Sequence, residues 1–170
     1  MADTLTLYKL IVLKMLDQVD FPLTNSQISE FILEKEYTNY FTLQQVLSEM
    51  EETGLVTVSN SHNSSLYHMT DSGKDTLHYF GNKVSDAIRR DIEAYLTEKK
   101  VEIRNDLSIT ADYFPGKGSD YLVRCQVREQ KSTLIDLTIS VPSEKQAGSV
   151  CNHWKEKSQE IYAYVMKSLL

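Results

Sequence analysis

The sequence has few of the residues that interrupt or cross-link a fold. Its 170 residues include three prolines, six glycines and two cysteines. Because Pro and Gly are the strongest breakers of regular structure, their scarcity predicts long helices and strands. Cys125 and Cys151 are too few to form a disulfide framework, and such sparse cysteine is typical of a reducing compartment.

Long apolar runs are also missing. The stretch Leu10–Leu13 is flanked by Lys9 and Lys14, whereas a membrane-spanning helix needs roughly 18–20 consecutive apolar residues. The N-terminal residues lack the basic segment and the cleavage site of a secretory signal peptide. We therefore expect a cytoplasmic protein that has no membrane partner.

Positive charge is scarce in the first half of the chain. Residues 1–81 contain no arginine and four lysines against eleven carboxylates, a formal charge of −7. Residues 82–170 carry fourteen basic and thirteen acidic side chains, a formal charge of +1. Since Lys and Arg supply most of the affinity for DNA phosphates, this distribution disfavours DNA binding by the first half.

Apolar spacing and capping residues predict three helices in the first half. The first runs from about Leu5 to Val19 and ends before Pro22. Thr24 and Gln27 have the spacing of a capping box and start the second helix.

Thr42 and Gln45 repeat that spacing and predict the start of the third helix, which ends at Gly54. Two short apolar runs at 55–58 and 66–69 enclose a polar segment and predict a hairpin. A fourth helix follows over residues 70–80.

Three helices followed by a hairpin is the order of a winged helix. Two segments at the end of the third helix and at the exit of the hairpin are characteristic, Leu47-Ser48-Glu49-Met50-Glu51-Glu52-Thr53-Gly54-Leu55-Val56 and Tyr67-His68-Met69-Thr70-Asp71-Ser72-Gly73. Through them residues 5–80 resemble the winged helix-turn-helix domains of bacterial regulators, in particular the MarR-like and PadR-like groups. Over its whole length the chain also resembles a bacterial winged-helix family catalogued as a domain of unknown function. The resemblance implies a winged-helix fold and a role in transcription regulation.

The second half predicts a small domain of both helix and sheet. A helix over 83–100 is followed by three alternating segments near 107–113, 121–127 and 133–141, which indicate an antiparallel meander. A last helix starts at Ser143 and covers the apolar face of the sheet. The predicted fold class is α+β, with a winged-helix domain at 1–81 and an α-β-β-β-α domain at 82–170.

A winged helix reads DNA with its third helix in the major groove and its hairpin along the backbone. We therefore predict double-stranded DNA as a partner and expect a homodimer, because operators are often palindromic. The acidic first domain leaves a second hypothesis open, namely a protein-interaction module that binds a basic partner. The predicted DNA-contacting residues are Thr38, Asn39, Tyr40, Thr42, Gln44, Gln45, Ser48, Ser61, His62 and Asn63.

Catalytic and cofactor-binding patterns are weak. Cys151 belongs to the apolar stripe of its helix, so we interpret it as a small packing residue and not as the partner of His153. The histidines lack metal-ligand spacing with cysteines, and we predict no enzyme activity, metal or cofactor. A set of aromatic residues could form either the core of the second domain or an effector pocket, namely Tyr113, Tyr121, Trp154, Tyr162 and Tyr164.

Overall fold

The computed structural model describes residues 2–61, 64–129 and 131–170, and all their side chains except those of residues 2, 61 and 104–107. These residues have the predicted α+β fold class. The described ranges form two three-stranded antiparallel sheets, where the sequence predicted one such sheet and a two-stranded hairpin. The chain divides into two compact units, Met1–Lys100 and Val101–Leu170, which are called unit 1 and unit 2.

Unit 1 contains four complete helices, three strands and the first part of a long helix within the described residues. A short 3₁₀ turn at Gly81–Lys83 precedes the long helix. The elements in chain order are α1 (Ala2–Asp17), β1 (Leu23–Thr24), α2 (Asn25–Glu34), α3 (Tyr40–Glu52), β2 (Val56–Ser61), β3 (Ser64–Met69), α4 (Asp71–Phe80) and α5 (Asp86–Ser108).

Helix α1 is the centre of unit 1. Its segment Leu10–Leu13 is almost completely buried, and Met15 is also buried. A helix that is apolar on several faces must be covered on several sides, and α1 contacts α3, α4 and β3. The apolar run seen in the sequence is therefore a core helix of the unit.

The sheet of unit 1 has the strand order β1-β3-β2. The predicted hairpin is confirmed, since β2 and β3 pair from Val56↔Met69 onward. The two-residue strand β1 was not predicted, because its pairing of Leu23 with Tyr67 depends on residues far apart in the sequence.

Local capping determines most helix ends. The predicted capping box is present in α2, where Thr24 N–H donates to Gln27 Oε1 at 2.8 Å and Gln27 N–H donates to Thr24 Oγ1 at 3.1 Å. Gly54 follows α3 with φ of 76°, the left-handed conformation expected of a glycine that ends a helix. Ser143 caps the last helix by accepting from Gln146 N–H at 3.2 Å.

The predicted start of α3 was wrong. Asn39 is the N-cap, and its Oδ1 accepts from the backbone N–H of Thr42 at 2.9 Å. Asn and Thr both cap helices, and here the earlier residue takes the position. Tyr40 and Phe41 therefore lie in the first turn of α3, and Thr42 lies inside the helix.

Helix α5 is longer than predicted, and its first part belongs to unit 1. The Tyr95 ring packs against the Phe31 ring at a tilt of 47° with centroids 5.2 Å apart, and its hydroxyl donates to Gln27 O at 3.2 Å. Tyr37 donates to Asp91 Oδ2 at 2.6 Å. These contacts with α2 and with Tyr37, which follows α2, explain why the units divide at residue 100 and not at 81, where the sequence changes character.

Unit 2 consists of the end of α5, a three-stranded sheet and one helix. The strands β4 (Ile109–Pro115), β5 (Tyr121–Glu129) and β6 (Ser132–Val141) are ordered β4-β5-β6, and α6 (Glu144–Leu169) packs mainly on β4 and β5. The predicted meander and covering helix are confirmed. The buried core residues of this sheet and helix are Val123, Cys125, Ala147, Cys151 and Trp154.

The aromatic side chains of unit 2 do not form one set. Trp154 is buried and donates from Nε1 to Gln126 O at 3.1 Å. Tyr113 and Tyr121 pack against the core, whereas Tyr164 is 72% exposed. The core of unit 2 therefore does not include all five of the predicted aromatic residues. None of the helices in the described ranges has the length and apolarity needed to span a membrane.

Gly73 should be essential for the stability of unit 1. A Cβ atom there would collide with Leu55 O and would lie 2.9 Å from Met69 Cγ. We expect Gly73→Ala to destabilise the protein by about 1–3 kcal/mol, the usual range for overpacking, as measured by urea unfolding. Gly81→Ala is the matched control, because its Cβ would meet only Leu77, at 3.4 Å. Equal unfolding midpoints for the two variants would contradict this explanation.

Candidate nucleic-acid interface

The first residues of α2 and α3 and the β2–β3 hairpin border a single polar groove. The groove has a volume of about 380 Å³. Its side chains are hydroxyl and amide groups, so it carries no formal charge at neutral pH, and the start of α2 adds a partial positive charge. It is suited to a ligand group that accepts hydrogen bonds. The lining residues are Thr24, Asn25, Ser26, Tyr40, Asn60, Ser64 and Ser65.

Asn25 connects the three elements around the groove. Its Nδ2 donates to Gln44 Oε1 of α3 at 2.9 Å and to the Tyr67 hydroxyl of β3 at 3.2 Å. Its Oδ1 accepts from Gln44 Nε2 at 3.1 Å and from Ser29 Oγ at 3.0 Å. The amide of Asn25 therefore determines the position of α3 and the hairpin relative to α2.

Gln44 does not point outward, in contrast to the prediction. Both ends of its amide bond to Asn25, and the side chain is half-buried between α2 and α3. The spacing along α3 suggested an outward position, but the sequence does not reveal the packing of α2. In this structure Gln44 is a positioning residue.

The first turn of α3 presents two aromatic side chains to solvent. Tyr40 is 52% exposed and Phe41 is 83% exposed. Their rings meet edge to face, with centroids 5.9 Å apart and planes at 80°. Asn39 beside them caps the helix, and Thr38 is half-buried. Of the three predicted contact residues Thr38, Asn39 and Tyr40, Tyr40 is the one that borders the groove.

The outer face of α3 is polar and acidic. Gln45 and Ser48 are exposed as predicted, and Gln45 Nε2 donates to Glu49 Oε1 at 3.1 Å. Lys9 of α1 lies 2.9 Å from Glu49 Oε2. Hydrogen bonds from Lys9 and from Gln45 hold the pKa of the Glu49 carboxyl below its ordinary value. Glu51 and Glu52 are also exposed, so the end of α3 is acidic.

The hairpin contributes further uncharged polar groups. Ser65 Oγ donates to Asn60 Oδ1 at 2.8 Å, and Ser59 Oγ lies 3.2 Å from His68 Nε2. The predicted contact residues His62 and Asn63 lie outside the described residues, and so does the side chain of Ser61.

Lysine and arginine are missing from residues 40–70, which include α3 and the hairpin, and none of the residues that line the groove is basic. Tyr40 is the one lining residue among the predicted contact residues, and sequence analysis missed the other six, namely Thr24, Asn25, Ser26, Asn60, Ser64 and Ser65. Thr24 marks the beginning of α2 in the sequence, but the pairing of β1 with β3 brings this beginning next to the hairpin. The feature of the sequence that could have indicated these lining residues is the Thr24–Gln27 capping motif directly after a short extended segment.

Cys151 and His153 of α6 form no hydrogen bond with each other in the described structure. His153 Nδ1 lies 2.8 Å from Ser149 O of its own helix. Burial raises the pKa of the Cys151 thiol to about 11. In the described part of the chain, no group of His, Cys, Asp and Glu side chains is arranged to hold a metal ion.

The family comparison covers both units. The model of a family described as a domain of unknown function (DUF4364) matches residues 8–169. The chain belongs to this family. The DUF4364 match includes every residue of the groove and nearly all of unit 2. Comparison with curated proteins found no match, and neither did comparison with solved structures.

Gln44→Ala should weaken the attachment of α3 to α2. The variant removes two hydrogen bonds to Asn25 and leaves that half-buried amide short of partners. We expect a loss of about 1–2 kcal/mol in the free energy of unfolding, measured with urea. Gln45→Ala, one residue further on the exposed face, should change it by less than about 0.5 kcal/mol. The opposite ranking would show that Gln44 does not position α3.

Proposed function

We propose that unit 1 is a winged helix whose third helix and hairpin bind double-stranded DNA, and that this DUF4364 chain is a transcription regulator. The element order α1-β1-α2-α3-β2-β3-α4 supports the fold, with β2 directly following the helix that ends at Gly54. The observation that carries the proposal is the convergence of two helix beginnings and a hairpin on one polar groove.

The groove is proposed to hold a backbone phosphate. Backbone N–H groups and the dipole at a helix N-terminus favour anions. Ser26 of α2 adds a hydroxyl donor to the lining of the groove. These uncharged groups supply phosphate contacts in a region that lacks lysine and arginine.

Base contacts are proposed for the exposed side chains at the beginning of α3. Gln45 can make two hydrogen bonds to adenine, and Ser48 can bond to several bases. Tyr40 and Phe41 offer apolar surface for the methyl group of thymine. Gln44 is left out of this set because its amide is bonded to Asn25.

Fluorescence anisotropy with pooled genomic duplex fragments tests the proposal. We expect binding at low salt, with a shallow salt dependence because few cations are displaced by lysine or arginine. Ser26→Asp should lower the affinity about tenfold or more, because a carboxylate in the groove repels phosphate; a tenfold change corresponds to about 1.4 kcal/mol.

Ser72→Asp is the matched control. Ser26 and Ser72 are each the second residue after a threonine N-cap, and both are exposed. A carboxylate suits the first turn of either helix, so both variants should keep the stability of the native protein. Ser72 does not line the groove, so Ser72→Asp should bind DNA like the native chain. Absence of native binding at low salt would refute the DNA proposal.

The exposed pair Tyr40 and Phe41 supports a second candidate function, the binding of a basic protein. Aromatic side chains are frequent energetic centres of protein interfaces, and Glu51 and Glu52 on the same helix favour a basic partner. In an array of basic peptides, Phe41→Ser should abolish binding. Tyr79→Ser, which removes an aromatic ring that is 74% exposed on α4, should not. Equal loss in both variants would contradict a site at α3.

A further inference from the structure

Strand β6 forms an exposed edge of the sheet in unit 2. The strand order β4-β5-β6 gives it a partner on one side within the described residues. None of its ten residues is buried, whereas Val123 and Cys125 of the neighbouring β5 are both 0% exposed. Helix α6 therefore covers the β4 and β5 side of the sheet and leaves the β6 side open.

The uncovered side of β6 is apolar. Ile139 lies directly opposite Val123 in the register and on the same face, yet it is 37% exposed. Ile135, Leu137 and Val141 share that face and are half-buried. The apolar face thus continues beyond the area that α6 covers.

Common protections of edge strands are missing from most of β6. Natural edges are usually interrupted by Lys, Pro or bulges, but β6 contains no lysine, arginine or proline. Its one charge, Asp136, is neutralised by Arg124 through contacts of 3.0 Å and 2.7 Å. A register shift affects only its beginning, next to Leu134, so the segment Ile135–Val141 is regular.

We propose that β6 pairs antiparallel with β6 of a second copy of this chain, so that the two sheets become one six-stranded sheet. Unit 2 suits self-association because its nine basic and nine acidic side chains balance, whereas unit 1 has a formal charge of −6. Two copies of unit 2 therefore meet without net repulsion. This proposal does not depend on the function proposed above.

The pattern of β6 selects one register. Inner-face residues must oppose inner-face residues, since a shift by one residue exchanges the faces. A two-fold axis at Asp136 would put two carboxylates opposite each other, which is unfavourable. An axis at Thr138 pairs the whole regular segment Ile135–Val141 and sets Leu137 opposite Ile139. On the outer face, Thr138 then lies opposite Thr138 of the second copy.

Disulfide trapping tests this register in the full chain. Facing Cβ atoms of paired strands lie ~4.5–5.5 Å apart, so Thr138→Cys should form a covalent dimer under mild oxidation. Ser140→Cys, on the same exposed face, is the control, because its two copies would be about 14 Å apart along the strands. The native thiols should not interfere near neutral pH, since burial raises the pKa of both Cys125 and Cys151 to about 11.

Sedimentation analysis tests the interface itself. The native protein should sediment as a species with twice the mass of one chain, and the Ile139→Lys variant should sediment as a monomer. Phe114→Lys, at a residue 45% exposed on the opposite edge strand β4, should remain dimeric. Circular dichroism should verify that every variant is folded.

A native monomer would overturn the proposal. So would a dimer that Ile139→Lys leaves intact, or one that Ser140→Cys traps as readily as Thr138→Cys, because each places the contact elsewhere.

Discussion

The amide of Asn25 is the junction on which the geometry of the groove depends. It bonds to α3 through Gln44, to β3 through Tyr67 and to its own helix through Ser29. A half-buried amide that lost these partners would carry an uncompensated desolvation cost. The network therefore selects one placement of α3 and the hairpin against α2, and the groove is the space between them.

The electrostatics of this face set it apart from a typical DNA-binding surface. Such surfaces gather lysine and arginine, but residues 40–70 have neither. Lys9, which reaches α3, is paired with Glu49. The proposed phosphate contacts rest instead on hydroxyl groups and helix beginnings, and DNA binding of this kind would be less sensitive to salt.

The two units differ in how completely they cover apolar surface. In unit 1, α1 is enclosed by helices and by β3, and Leu10–Leu13 is almost fully buried. In unit 2 a single helix lies over three strands, and it covers β4 and β5 more than β6. One helix is too narrow for the whole sheet, so the β6 edge retains exposed isoleucine and unpaired backbone in the described structure.

Short-range patterns in the sequence determined the helices, the hairpin and the meander, because caps and apolar periodicity act within a few residues. The Thr24 box, the end of α3 at Gly54 and the alternation of β5 and β6 are of this kind. Asn39 and Thr42 are both suitable N-caps for α3, and in the folded protein Asn39 takes that position. Only tertiary structure turned Gln44 inward, paired β1 with β3 to form the groove and left Ile139 uncovered. Each of these depends on contacts between residues distant in sequence, and neither propensity nor spacing records such contacts.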